Sequence, residues 1–116
     1  MTHQHDIAIA VAAYNRPDSL RRLLNSLLSA DYLGFTNISL YLFLDHSGND
    51  DCYKVAEKFI WNHGPKHIKR NTEKIGLKRN ILSCGNVALA HDAVIVLEDD
   101  LIVSPAFYDY AQQAFG

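Results

Sequence analysis

The clearest pattern in the chain is a run of consecutive apolar residues, Ile7–Ala13, followed by regularly spaced leucines. A continuous apolar run is typical of a strand that is buried on both faces, as in a parallel sheet. The leucines occupy the i, i+3, i+4, i+7 and i+8 positions of one helix face: Leu20, Leu23, Leu24, Leu27 and Leu28. Pro17 suits the first turn of that helix, where an N–H is not needed. The pattern predicts a strand followed by an amphipathic helix.

The same alternation of strand and helix patterns continues along the rest of the chain. Further strands are predicted at Ile38–Asp45, His67–Arg70 and Ala93–Leu97. Further helices are predicted from Asp50 or Asp51 to about Asn62, from Leu77 to about Ala90, and onward from Ser104–Pro105 as N-cap and first helical residue. The second helix should turn five residues inward: Cys52, Val55, Ala56, Phe59 and Ile60. Gly85 weakens the third helix.

The predicted element order is β-α-β-α-β-α-β-α, with roughly thirty residues from strand to strand, as right-handed crossover units require. We therefore expect one α/β domain over residues 1–116, Rossmann-like, with a mostly parallel sheet and helices on both faces. Ligands of such sheets bind outside the carboxyl ends of the strands. The polar residues that directly follow each strand are consequently the candidates for function.

Composition and charge disfavour several classes of function. The chain has 116 residues, of which 48% are hydrophobic, and its formal charge is −2. This charge disfavours a general nucleic-acid binder, which usually carries a basic excess. No apolar run approaches the ~20 residues of a membrane span, and residues 1–6 lack the order of a signal peptide. We expect a cytoplasmic protein whose two cysteines, Cys52 and Cys84, are reduced thiols.

Two loops after predicted strands carry groups suited to a nucleotide. Tyr14, Asn15 and Arg16 follow the first strand, without a G-x-G-x-x-G fingerprint. Tyr14 is suited to pack beside a base and Arg16 to pair with a phosphate; the alternative is a polar loop before a helix-starting proline. Asp45 ends the second strand and is suited to accept from a base N–H or a ribose hydroxyl. The alternative for Asp45 is a structural turn closing onto the next residues.

Two charged segments lie where a diphosphate and a cation would bind. Gly76 places Lys78 and Arg79 near a helix start, where cationic side chains and backbone N–H groups suit a diphosphate; the alternative is a solvated basic face. Glu98, Asp99 and Asp100 directly follow the fourth strand. Adjacent carboxylates repel one another, which raises their pKa values, and a divalent cation relieves the repulsion. Hard oxygen ligands favour Mg²⁺ or Mn²⁺ over zinc; the alternative is a solvated acidic loop.

Together these motifs resemble the nucleotide-sugar-binding half of GT-A fold glycosyltransferases. The segment 11–24 resembles the first βα unit of family 2 enzymes, and 76–80 is similar to their "G…RN" segment. The segment 96–107, with its Glu-Asp-Asp sequence, looks closest to the DxD motif of the N-acetylglucosaminyltransferases that act on protein N-glycans. The resemblance extends over nearly the whole chain.

The resemblance implies a role for each matching residue. Asp100 would bind Mn²⁺ or Mg²⁺ at the donor diphosphate, Asp99 would contact the ribose, and Glu98 would act through water. Asp45 would bind the base, expected to be uracil because UDP-sugars are the frequent donors of these families. The remaining matches would line the nucleotide site: Tyr14, Asn15, Arg16, Lys78 and Arg79. The implied enzyme is an inverting, metal-dependent hexosyl- or N-acetylhexosaminyltransferase acting on an unknown acceptor hydroxyl.

The chain departs from this resemblance in length. Such enzymes are considerably longer, and their acceptor site and general base follow the DxD strand. We therefore expect residues 1–116 to hold only the donor-binding half, with no assignable base and little or no transfer activity on its own. A truncated sheet edge would also favour self-association. The alternative is a non-catalytic module that binds a nucleotide or a divalent metal.

Overall fold

A single parallel sheet organises the chain, whose computed structural model describes residues 4–116. Its strands are β1 (Ile7–Ala13), β2 (Leu40–Leu44), β3 (Lys66–Arg70) and β4 (Ala93–Glu98). They lie in the order β3-β2-β1-β4, and every neighbouring pair is parallel. The α/β fold class is thereby confirmed. Of the N-terminal segment considered above, residues 1–3 lie outside the described residues.

Helices cover both faces of this sheet. They are α1 (Pro17–Ser29), α2 (Asp51–Lys58), α3 (Leu77–Gly85) and α4 (Phe107–Phe115), and a 3₁₀ turn (Asn86–Ala90) follows α3. Among the described residues, no helix is both long and apolar enough to cross a membrane.

Two apolar cores result from the alternation of side chains along β1, which is buried along its whole length. The odd-numbered residues of β1 join the leucines of α1, with α2 and Tyr108 of α4, in the larger core. The even-numbered alanines face Cys84 and Val87, on α3 and the 3₁₀ turn, in the smaller core. Because successive strand residues point to opposite faces, one continuous apolar run supplies both cores. This fixes β1 in the middle of the sheet, with its carboxyl end between those of β2 and β4.

The second helix ends earlier than its sequence pattern predicts. It stops at Lys58, and Phe59 already has an extended backbone. The prediction that Ile60 points inward was wrong, since 76% of this residue is exposed. Trp61 is buried in its place, and its indole N–H donates to the carbonyl of Ile38 at 2.8 Å. Burial of the larger aromatic ring against the start of β2 outweighs continuation of the helix.

Two other boundaries also differ from the prediction. The third helix changes to a 3₁₀ turn after Gly85, the residue expected to weaken it. The last helix begins at Phe107, so Ser104 and Pro105 are not its N-cap and first residue. The carbonyl of Ser104 instead accepts from the N–H of Phe107 at 3.2 Å, and that of Pro105 accepts from the N–H of Asp31 at 2.8 Å. This tertiary contact holds the segment as a turn before the helix starts.

Candidate nucleotide-binding site

The candidate residues from three separate loops meet at one end of the sheet. Because the strands are parallel, the carboxyl ends of β2, β1 and β4 lie side by side. Asp45 follows β2, the segment 14–16 follows β1, and Asp99 and Asp100 follow β4. The N–H of Asp45 donates to Ala13 at 2.9 Å, and the N–H of Asp99 donates to Ala12 at 3.2 Å. Both loops are thus tied to the end of the central strand.

Asp99 is the fixed member of the acidic segment. It is only 7% exposed, and its Oδ2 accepts from the backbone N–H of Tyr14 at 2.9 Å. Burial raises the pKa of Asp99, and the hydrogen bond from Tyr14 and the Arg16 guanidinium only partly oppose this; the charge of Asp100 raises it further. The pKa is raised, as the sequence predicts, but its main cause is burial and not repulsion between neighbouring carboxylates.

Arg16 lies against both aspartates. Its Nη1 is 3.9 Å from Oδ1 of Asp99 and 3.8 Å from Oδ2 of Asp100. The side chains of Arg16 and Asp100 are 59% and 54% exposed, so both remain in contact with water. Glu98, the last residue of β4, is half-buried. Its side chain points to the same face of the sheet as that of Val96, the face that α3 covers. The acidic segment therefore presents its carboxylates in different directions.

The arrangement fits a divalent cation that is shared with a ligand. Among residues 4–116, no group of three His, Cys, Asp or Glu side chains converges as a ready-made metal cage. Mg²⁺ and Mn²⁺ are commonly held by one or two carboxylates together with substrate phosphates. The exposed carboxylate of Asp100, beside the fixed carboxylate of Asp99, supplies that kind of hard oxygen donor.

Asp45 is held by four hydrogen-bond donors. Its Oδ1 accepts from the N–H of His46 at 2.9 Å, the side-chain amide of Asn71 at 3.1 Å and the N–H of Ile75 at 3.0 Å. Its Oδ2 accepts from the N–H of Gly76 at 2.9 Å. Burial raises the pKa of Asp45, but these hydrogen bonds outweigh it, and the pKa is lowered overall. The carboxylate therefore anchors a distant loop, and its only local bond is the one from the N–H of His46.

That loop brings in residues that sequence reasoning missed. Asn71 also approaches Oδ1 of Asn80 at 3.4 Å, and Asn80, 1% exposed, donates to the carbonyl of Phe43 at 3.0 Å. Lys74 places its ammonium 4.7 Å from the centre of the Tyr14 ring. Asn71 directly follows β3, so the strand-end rule that selects Asp45 also selects it. Lys74 carries no comparable sequence signal.

The other predicted residues lie nearby but are less constrained. Lys78 and Arg79 are exposed on the first turn of α3, whose preceding N–H groups, at Ile75 and Gly76, already donate to Asp45. Asn15 has a left-handed backbone with φ of 49°, and its Oδ1 accepts from Asn49 at 3.0 Å.

A buried thiol lies beneath the loop that carries Asn15 and Arg16. Burial raises the pKa of Cys52, although hydrogen bonds from the backbone of Arg16 and Asn15 oppose the effect. Cys84, in the smaller core, has its pKa raised by burial to about 12. Both cysteines are free thiols, as expected from the sequence.

A comparison with protein families identifies the family of this chain. The model of the family described as "Glycosyl transferase family 2" matches residues 8–115. The chain belongs to glycosyl transferase family 2. The resemblance drawn from the sequence is thereby confirmed at the level of the family, and the match includes every candidate site residue named above.

Solved structures show that this family 2 chain has the GT-A fold. TarS 1-349 from S. aureus matches with 22% sequence identity and a TM-score of 0.70. The match covers 91% of this chain and 31% of the TarS chain. The same protein in complex with UDP-GlcNAc matches with a TM-score of 0.68. The mannosyltransferase PcManGT from Pyrobaculum calidifontis, in complex with GDP-Man and Mn²⁺, is 14% identical with a TM-score of 0.74, covering 98% of this chain and 32% of its own.

The family 2 chain thus spans about a third of the length of these similar structures. No curated protein matches its sequence.

Proposed function

We propose that this chain is the donor-binding part of a metal-dependent, inverting glycosyltransferase that uses a nucleoside-diphosphate sugar. The observation that carries the proposal is the juxtaposition of Arg16, Asp99 and Asp100 at the carboxyl ends of β1 and β4. A cationic group and two carboxylates there suit a diphosphate and its counter-cation. Family membership and the fold shared with nucleotide-sugar complexes support the same conclusion.

The base and ribose are proposed to lie across the ends of β2 and β1. Tyr14, held by Lys74 over its ring, forms one wall of the base slot. The Asp45 carboxylate forms the other, through Oδ2, which accepts from a single protein donor. Asp99 faces the ribose, and Glu98 acts through water. Asn15 lies beside Tyr14 in the same loop and completes the slot.

The diphosphate is proposed to lie beside Arg16, with Lys78 and Arg79 contributing positive charge from the exposed start of α3. Asp100 would hold Mn²⁺ or Mg²⁺ together with the phosphate oxygens. When bound, the cation supplies Lewis-acid stabilisation of the leaving nucleoside diphosphate. The chain's own residues bind and orient the donor around it.

A UDP-sugar that carries a hexosyl or N-acetylhexosaminyl group is the proposed donor, and an acceptor hydroxyl attacks its anomeric carbon. We assign no general base within residues 4–116. Because the chain spans about a third of the similar structures, we expect donor binding with little transfer from these residues alone.

The test is thermal unfolding with UDP, with and without Mn²⁺. A ligand at 100 times its Kd that binds only the folded chain adds about 2.7 kcal/mol, which raises the Tm of a domain of this size by several degrees. We expect a Mn²⁺-dependent rise in the wild type that is lost in Asp100→Asn. The control is Asp109→Asn, which removes a carboxylate on α4.

The outcomes separate the candidate functions. No shift with UDP or GDP, with or without Mn²⁺, contradicts the proposal. A shift with UDP, but none with UDP-GlcNAc or UDP-glucose, favours a non-catalytic nucleotide-binding module. Transfer of sugar by the purified chain contradicts the expectation that these residues are inactive alone.

A further inference from the structure

The guanidinium of Arg16 lies where a cation would be expected. Its Nη1 is within 3.9 Å of a carboxylate oxygen of both Asp99 and Asp100, so one positive charge faces two negative charges. Asp99 cannot move away, because its Oδ2 accepts from the N–H of Tyr14 and its own N–H donates to Ala12. Asp100 and Arg16 are both more than half exposed and are free to change partner. The arrangement is a fixed carboxylate with two exchangeable neighbours.

The backbone of Arg16 is anchored independently of its side chain. Its carbonyl accepts from the N–H of Leu20 at 2.9 Å at the start of α1, and Asn15 before it is held in a left-handed turn by its contact with Asn49. The guanidinium can therefore swing away from the aspartates without disturbing α1. A planar guanidinium that leaves a carboxylate finds an equivalent bidentate partner in a phosphate.

We propose that Arg16 pairs with Asp99 and Asp100 in the ligand-free chain, competes there with the divalent cation, and leaves when a diphosphate accepts it. This inference rests on the proposed function and adds to it how the binding of the metal depends on the binding of the nucleotide. The metal alone meets a site whose negative charge Arg16 has already reduced by one. The metal with a nucleotide meets a site from which Arg16 has been drawn to phosphate. Metal and nucleotide consequently bind cooperatively, and the coupling is reciprocal.

The competition predicts opposite effects of one substitution on two ligands. Arg16→Gln removes the competing charge, so Mn²⁺ alone should bind more tightly, by up to roughly thirtyfold, the factor that Coulomb's law in water gives for a doubly charged ion about 4 Å from a unit charge. The same substitution removes the phosphate partner, so UDP in saturating Mn²⁺ should bind at least roughly tenfold more weakly. A residue that merely stabilises the loop would weaken both ligands.

The experiment measures free Mn²⁺ by electron paramagnetic resonance during titration of the purified chain, and UDP binding by calorimetry. Arg16→Lys keeps a charge and should leave the affinity for Mn²⁺ near that of the wild type. Arg22→Gln removes an exposed charge from α1, away from the aspartates, and controls for general electrostatics. Asp100→Asn should abolish Mn²⁺ binding in both the wild-type and Arg16→Gln backgrounds.

The two proposals fail separately. If UDP does not bind the wild type with Mn²⁺, the proposed function fails, while the titration with Mn²⁺ alone still decides the role of Arg16. If UDP binds but Arg16→Gln leaves the affinity for Mn²⁺ unchanged or weaker, competition by Arg16 is refuted. The same conclusion holds if Arg22→Gln tightens Mn²⁺ binding equally, or if neither the wild type nor Arg16→Gln binds Mn²⁺.

Discussion

At the residue scale, Asp45 is a structural anchor at the centre of the candidate site. Three N–H groups and one side-chain amide converge on its carboxylate, and two of those N–H groups belong to Ile75 and Gly76, some thirty residues away in sequence. Hydrogen bonds to a charged acceptor contribute more than neutral ones, roughly 1.5–3 kcal/mol each when measured by mutation. The loop that carries Lys74 to the Tyr14 ring therefore depends on the ionised form of Asp45.

The substitution Asp45→Asn should lower the free energy of unfolding at neutral pH by about 2 kcal/mol. The pKa of Asp45 is lower in the folded chain than its ordinary value, so ionisation stabilises the fold above about pH 4, and this contribution is lost as the pH falls through the folded value. The difference between variant and wild type should thus shrink in acid. Urea unfolding at a series of pH values measures it.

The matched control for this series is Asp50→Asn. Asp50 is an exposed carboxylate that pairs with Arg70 at the surface, so its loss should change stability by less than about 1 kcal/mol. Equal effects of the two substitutions, or a difference at Asp45 that persists unchanged into acid, would show that the ionised Asp45 carboxylate does not anchor the loop.

At the element scale, sequence periodicity determined the strongest elements and failed where tertiary contacts set the boundaries. The run Ile7–Ala13 and the helix Pro17–Ser29 have the predicted type and position, because their apolar patterns are long and uninterrupted. The end of α2 was mispredicted, since the burial of Trp61 against Ile38 is a contact between elements that no local pattern contains. The start of α4 was mispredicted for the same reason, through the contact between Asp31 and Pro105.

Substitutions of two glycines, Gly85 and Gly64, should change stability in opposite directions. Gly85 has a helical backbone, with φ of −61° and ψ of −31°, and an added Cβ would meet nothing within 4 Å. Gly85→Ala should therefore raise the free energy of unfolding by about 0.5–1 kcal/mol, chiefly because the unfolded chain loses freedom. At Gly64, an added Cβ would collide with the backbone of Ile38.

Gly64→Ala should accordingly destabilise the chain by roughly 2 kcal/mol or more, because rigid backbone atoms cannot move aside. Thermal and urea unfolding of the two variants beside the wild type gives both values. Loss of stability in Gly85→Ala would contradict the helical backbone at that residue, and tolerance of Gly64→Ala would contradict its close approach to the backbone of Ile38.

At the scale of the whole molecule, the parallel topology made much of the candidate site predictable. Once the strands are aligned, the rule that ligands bind at their carboxyl ends brings Arg16, Asp45 and Asp99 together from distant parts of the sequence. The rule does not say how a loop returns to the sheet. The hydrogen bonds of Asn71 to Asp45 and Asn80 depend on the path of the segment that follows β3. The structure shows this path, but no pattern in the sequence predicts it.

The two outer strands of the sheet differ in character. Within residues 4–116, β3 and β4 each pair with one strand only. β3 has the sequence Lys-His-Ile-Lys-Arg, and such charges protect an edge from pairing with another chain. β4 has the sequence Ala-Val-Ile-Val-Leu-Glu. Since Ala93 and Asp99 donate their N–H groups toward β1, the N–H groups of Val94 and Val96 face the open side.

We therefore expect the purified chain to self-associate through β4 as its concentration rises. Sedimentation velocity over a wide concentration range measures the association, and Val96→Lys should abolish it, since a charge on an edge strand opposes pairing and a lysine stem can lie along the surface while its ammonium stays in water. Lys69→Gln, on the protected edge, should leave association unchanged. Association that persists in Val96→Lys, with the Tm of that variant near the wild-type value, would place the contact elsewhere and leave the β4 edge without a role in it.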